Sequence, residues 1–157
     1  MLFSVGALAV LLLSLGAWFS WKRRKKPGTT LRSVAPDQEA IEKLLKLEKM
    51  RLIKNGELKK HYSLLSEIFR KYIERQFAFP AVERTSEEIS DKLASLHVAE
   101  PLRNQIHAFL GHMDLVKFAK AVCTPDEARA ETDRIRRFIT EMAQRNPAKS
   151  EEEHVAV

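Results

Sequence analysis

One cysteine, Cys123, stands in a chain of 157 residues. No internal disulfide can form, a zinc site of four cysteines is excluded, and a lone thiol fits a reducing compartment. Glycine is scarce as well. Gly6, Gly16, Gly28, Gly56 and Gly111 are isolated from one another, so neither GxGxxG nor a Walker-type GxxxxGK occurs and no glycine-rich loop cradles a phosphate. Gly6 and Gly16, ten apart, form no GxxxG pair. The chain lacks alternating runs of β-branched residues, hairpin dipeptides flanked by such runs, and any internal repeat. It also lacks basic residues spread as a nucleic-acid binder would spread them. Five of the six formal net positive charges come from one block, Lys22, Arg23, Arg24, Lys25 and Lys26, leaving +1 for everything else.

What precedes that block is apolar. Leu2 to Trp21 is twenty residues without a charge, long enough as a helix to cross about 30 Å of hydrocarbon. Trp18 and Trp21 lie at its end, where indole rings favour the headgroup interface. A secretory signal places its positive charges before the apolar run; here they follow it. The pattern predicts an uncleaved single span over residues 2–21, N-terminus outside and everything after it in the cytoplasm. Residues 22–38 read as a basic juxtamembrane block and a Pro/Thr/Ser-rich linker. The block is also the feature on which an alternative rests, a structural protein that binds anionic lipid at the membrane surface.

From 39 to 144 the chain reads as an all-α domain of four to five helices, followed by a disordered tail over 145–157. In the first helix Ile41, Leu44, Leu45, Leu52 and Ile53 fall near one face, Glu42 and Lys46 form an i,i+4 pair, and Asn55-Gly56 is the expected stop. The second carries a stripe through Leu58, Tyr62, Leu65, Phe69 and Tyr72, widened by Ile68 and Ile73, and ends before Pro80. Thr85 and Glu88 form a capping box for a short third helix that buries Ile89 and Leu93, with Leu96 as a further candidate. A fourth runs from about Pro101 through Leu102, Ile106, Phe109, Leu110 and Met113. Thr124 and Glu127 form a second box, with Pro125 at the first helical position, ahead of a last helix that buries Ala128, Ile135, Phe138, Ile139 and Met142.

No constellation points to chemistry. His107 and His112 are five apart and so about 140° from a shared helical face, which makes them poor joint metal ligands. Cys123 carries no local nucleophile signature and reads as a buried, inert thiol. The acid pairs Glu87-Glu88 and Asp126-Glu127 are explained by the caps. The expectation is a non-enzymatic chain with neither metal nor cofactor. The puzzle is Asp114 and Lys117, a charged pair inside the apolar run Met113 to Ala119. Gly111 suggests that the helix bends or restarts there, with Asp114 capping the new turn and Lys117 and Phe118 at a corner. The alternative is that Asp114, Lys117 and Phe118 form a partner surface.

Three stretches in order carry a family resemblance: Asn55 to Phe79, with its Tyr, Leu, Arg-x-Tyr and Phe; Glu83 to Leu93, with Thr-Ser-x-Glu-Ile; and Met113 to Ala128, with Asp-x-Val-Lys-Phe-Ala before a Pro-containing helix start. Over about Ala40 to Met142 the chain resembles the cytoplasmic helical region of the Bacteroides-aerotolerance D proteins and related small single-span bacterial proteins. Only Met1 precedes the apolar run, so the outside β-rich domains of longer relatives are expected to be missing. The resemblance implies association with MoxR-type AAA+ ATPases and with membrane proteins bearing von Willebrand factor A domains, in assembly or stress tolerance. It implies no catalytic residue.

Overall fold

The computed structural model describes residues 34–118 and 123–145. They form five helices, α1 (Pro36–Lys49), α2 (Leu58–Phe77), α3 (Ser86–Ser95), α4 (Glu100–Phe118) and α5 (Pro125–Arg145), and no strand. The all-α architecture follows from amphipathic stripes that must bury one face each. None of these helices is long and apolar enough to cross a membrane. The expected span over Leu2–Trp21, the basic block, the linker as far as Ser33 and the tail beyond Arg145 lie outside the described residues.

Helix α2 is the spine. It packs against α1, α4 and α5, while α3 packs on α4 and α1 on α5. Its stripe is buried at Tyr62, Leu65, Phe69, Tyr72 and Ile73. Phe69 sits edge-on to Phe109 of α4 and Phe138 of α5, with ring centroids 5.6 Å away in both cases, and Phe109 and Phe138 meet each other at 5.7 Å. Such edge-to-face contacts place the positive rim of one ring on the negative face of the next. This aromatic cluster joins three helices that are far apart in the chain. Tyr72 also meets Phe138, and His61 meets Thr132, so α5 runs in the same sense as α2.

The first helix differs from expectation. It stops at Lys49, six residues before Asn55, because Arg51 adopts a left-handed conformation with φ of 52°. Residues 50–56 then form a turn closed by Gly56 at φ 76° and by the Glu57 amide donating to the Leu52 carbonyl at 2.9 Å. The helical stripe therefore cannot run on through Leu52 and Ile53. The buried face is Ala40, Leu44 and Leu47, and Leu45 is exposed. Leu52 reaches the core from the turn instead. At the other end α1 begins at Pro36, inside the stretch expected as linker, with proline at the position where a missing N–H costs nothing. Leu96 is exposed: α3 ends at Ser95, His97 turns the chain at φ 57°, and Val98 packs on the core in its place.

Helix α4 is continuous through Gly111. It does not restart there, so Asp114 caps nothing. A methyl group added at Gly111 would meet no atom within 4 Å. Gly111→Ala is therefore expected to raise stability by about 0.5–1 kcal/mol in urea denaturation, through helix propensity alone. Phe69→Ala, at a fully buried position, is expected to cost about 3–5 kcal/mol by the same measurement.

Candidate functional site

Asp114 points inward. Its Oδ2 accepts from Arg70 Nη2 at 3.0 Å and from Ser86 Oγ at 2.6 Å. Arg70 lies on α2, is 7% exposed, and donates in four directions. Besides Asp114, it reaches the Arg84 carbonyl at 2.5 Å, Ser86 Oγ at 3.2 Å and Ser66 Oγ at 3.4 Å. One guanidinium thus ties α2 to the α2–α3 connection, to the first residue of α3 and to α4. Lys117 Nζ stands 3.5 Å from Asp114 Oδ1, an atom with no other partner among the described residues.

That connection is held from a second side. Glu74 on α2 accepts from the amides of Ala81 at 3.2 Å and Val82 at 3.5 Å, and pairs with Lys71. Burial works to raise the Glu74 carboxyl, but these hydrogen bonds outweigh it and hold the group below its ordinary value. Arg84 folds back to donate to the Pro80 carbonyl at 2.9 Å. Ala78 supplies the reversal after α2 at φ 55°. The loop from Pro80 to Glu83 is therefore a fixed wall.

Between that wall, α1 and α2 lies an open groove of about 660 Å³. Leu47, Leu64 and Ile68 form its floor, and Met50, Pro80 and Val82 line its sides. Met50 and Val82 are 48% and 40% exposed, large apolar side chains without cover. Lys43 and Lys46 from α1, Glu67, Lys71 and Glu74 from α2, and Glu83 from the loop add both signs of charge to its lining. A concave apolar strip rimmed by both signs of charge can take an amphipathic segment.

The residues singled out from sequence fall in different places. Thr85 and Glu88 make the first capping box, with Glu88 N donating to Thr85 Oγ1 at 3.2 Å and Thr85 N to Glu88 Oε2 at 2.9 Å. Thr124 and Glu127 make the second, with Glu127 N donating to Thr124 Oγ1 at 3.2 Å and Thr124 N to Glu127 Oε2 at 2.7 Å. Of Asp114, Lys117 and Phe118, only Phe118 is exposed, at 76%, with Leu115 beside it at 55% and the Lys117 ammonium 4.8 Å from the Phe118 ring centre. Cys123 is half-buried rather than enclosed, its sulfur 3.0 Å from the Tyr62 hydroxyl. Burial and that contact push the Tyr62 hydroxyl upward, so it stays protonated. His107 is exposed, and His112 lies 3.5 Å from the buried Glu131.

Sequence reasoning missed the groove and Arg70. The groove joins residues separated by more than thirty positions. Arg70 carried one local signal, since it stands one place from Phe69 on the buried stripe. Comparison with models of known families, with curated proteins and with solved structures finds no match to this chain.

Asp114→Ala is expected to cost about 3 kcal/mol, because Arg70 is left charged and buried; Lys117→Ala is expected to cost under about 1 kcal/mol, as a peripheral partner. Urea denaturation of both variants checks the contrast. Glu74→Gln is expected to lose stability at neutral pH. Since the folded Glu74 carboxyl lies below its unfolded value, its contribution is present above about pH 4.3 and fades as pH falls through the folded value. The gap between wild type and Glu74→Gln should therefore narrow in acid.

Proposed function

We propose that this chain is a membrane-anchored, non-enzymatic helical adaptor, whose α1–α2 groove receives an amphipathic helix of a protein partner. The observation that carries this reading is the groove. Its apolar floor is rimmed by both Lys and Glu, and its wall is locked by Arg70 and Glu74. A site held rigid before binding loses less entropy when a partner docks. Mixed charge along the rim sets the register of a helix more than it adds affinity.

The anchor is Leu2–Trp21, with the domain on the cytoplasmic side of a bacterial inner membrane. Support comes from the uncharged run and the Lys22–Lys26 block that follows it. The resemblance to the cytoplasmic region of aerotolerance D-like proteins favours a MoxR-type AAA+ ATPase or a von Willebrand factor A-domain protein as the partner. No nucleic acid and no cofactor enter this reading.

The test is affinity capture of the tagged full chain from membranes in mild detergent. The expected result is recovery of an ATPase or an A-domain protein, lost in Met50→Glu/Val82→Glu with the melting temperature within a few degrees of wild type. Recovery of neither partner, or recovery indifferent to the double substitution, contradicts the proposal. A phosphatase reporter fused after Val157 is expected to be inactive in the periplasm; activity there contradicts the orientation.

A further inference from the structure

A second cavity, of about 330 Å³, opens where the turn after α1 meets the start of α2 and the first half of α5, and shares only Leu47 with the groove. We propose that it binds a small organic carboxylate with an apolar body. This assignment stands apart from the adaptor reading and survives its failure.

Two features of the cavity point to a ligand. The first is His61, which lines it while being only 2% exposed. Thr132 donates its hydroxyl proton to the Ala128 carbonyl at 2.8 Å, so at 2.9 Å its oxygen accepts from His61 Nε2–H. That fixes the tautomer. Nδ1 is left with its lone pair and makes no hydrogen bond among the described residues. Burial lowers the basicity of the ring, and Glu48 offsets this only in part. His61 is thus a neutral acceptor that becomes a donor once an anion compensates its charge.

The second feature is Arg51. It holds φ of 52°, a conformation that glycine adopts far more readily, and it lines the cavity with no acidic partner for its guanidinium among the described residues. Lys54 and Arg129 line the same cavity. The carboxylates that face it, Glu48 from α1 and Asp133 from α5, both bond to Arg136, and Arg129 is paired with the exposed Asp126. With His61 neutral, the cations Arg51, Lys54, Arg129 and Arg136 against the carboxylates Glu48, Asp133 and Asp126 leave one positive charge, and protonation of His61 adds a second, an excess that favours an anion. Leu52 and Ile53 supply apolar wall for the body of the ligand. The volume holds about ten non-hydrogen atoms, taking the roughly 30 Å³ that a water molecule occupies as the unit.

In the bound state the carboxylate lies among Arg51, Lys54 and Arg129, and a protonated His61 donates Nδ1–H to it. Binding therefore raises the His61 value, and affinity increases as pH falls toward the ordinary histidine range.

The test is titration calorimetry on the full chain in mild detergent, with benzoate as the probe and inorganic phosphate as the comparison, at about pH 6 and about pH 7.5, where benzoate stays ionised. Benzoate is expected to bind saturably and severalfold more tightly at the lower pH. Arg51→Gly is expected to weaken it about tenfold without lowering the melting temperature, since glycine suits that backbone. His61 ring nitrogen shifts should report an upward change in its titration on binding. Absence of saturable binding, equal affinity in Arg51→Gly, or phosphate binding as tightly as benzoate overturns the assignment.

Discussion

Arg70 carries a permanent charge at a position 7% exposed, on the same helix that organises the aromatic core. A buried guanidinium is tolerated only where its donors are met, and removal of a partner leaves a cost of several kcal/mol. The surroundings of Arg70 are arranged to meet that demand. Asp114 brings α4 in, Ser86 brings the start of α3, and the Arg84 carbonyl brings the connection between α2 and α3. Hydrophobic contact alone would let these elements slide, since apolar burial is not directional. The guanidinium gives them a register.

This register shapes the surface. The loop from Pro80 to Glu83 has little apolar contact of its own beyond Ala81, and its position follows from Arg70 at one end and Glu74 in the middle. The groove exists because that loop stands off α2 instead of collapsing onto Leu64 and Ile68. The buried polar network and the exposed apolar strip are thus two sides of one arrangement, with the internal pairing holding open the surface on which the proposed partner helix docks.

Much of the fold was legible in the sequence, for local reasons. Capping boxes act over four residues, and both were readable from Thr85-Ser86-Glu87-Glu88 and Thr124-Pro125-Asp126-Glu127. The α2 stripe was readable because its spacing matches the helical period. What failed depended on backbone reversals by residues that do not announce them: Arg51 and His97 both take positive φ without being glycine. Arg51 ended α1 six residues early and moved Leu52 and Ile53 off the helical face. Gly111 misled in the opposite sense, as a glycine inside an unbroken helix. Asp114 was visible as an anomaly, but its explanation lay forty-four positions away at Arg70. Pairing at that range leaves no mark on periodicity.

The central claim is that Arg70 fixes the groove wall, and native-state hydrogen exchange tests it most directly. In Arg70→Met, a change that keeps apolar volume and removes the buried charge, the amides of Ala81 and Val82 are predicted to exchange at least tenfold faster, while those at Ile135 and Ile139 in α5 keep their protection. Unchanged exchange at Ala81 and Val82, or an equal loss of protection in α5, would contradict the account.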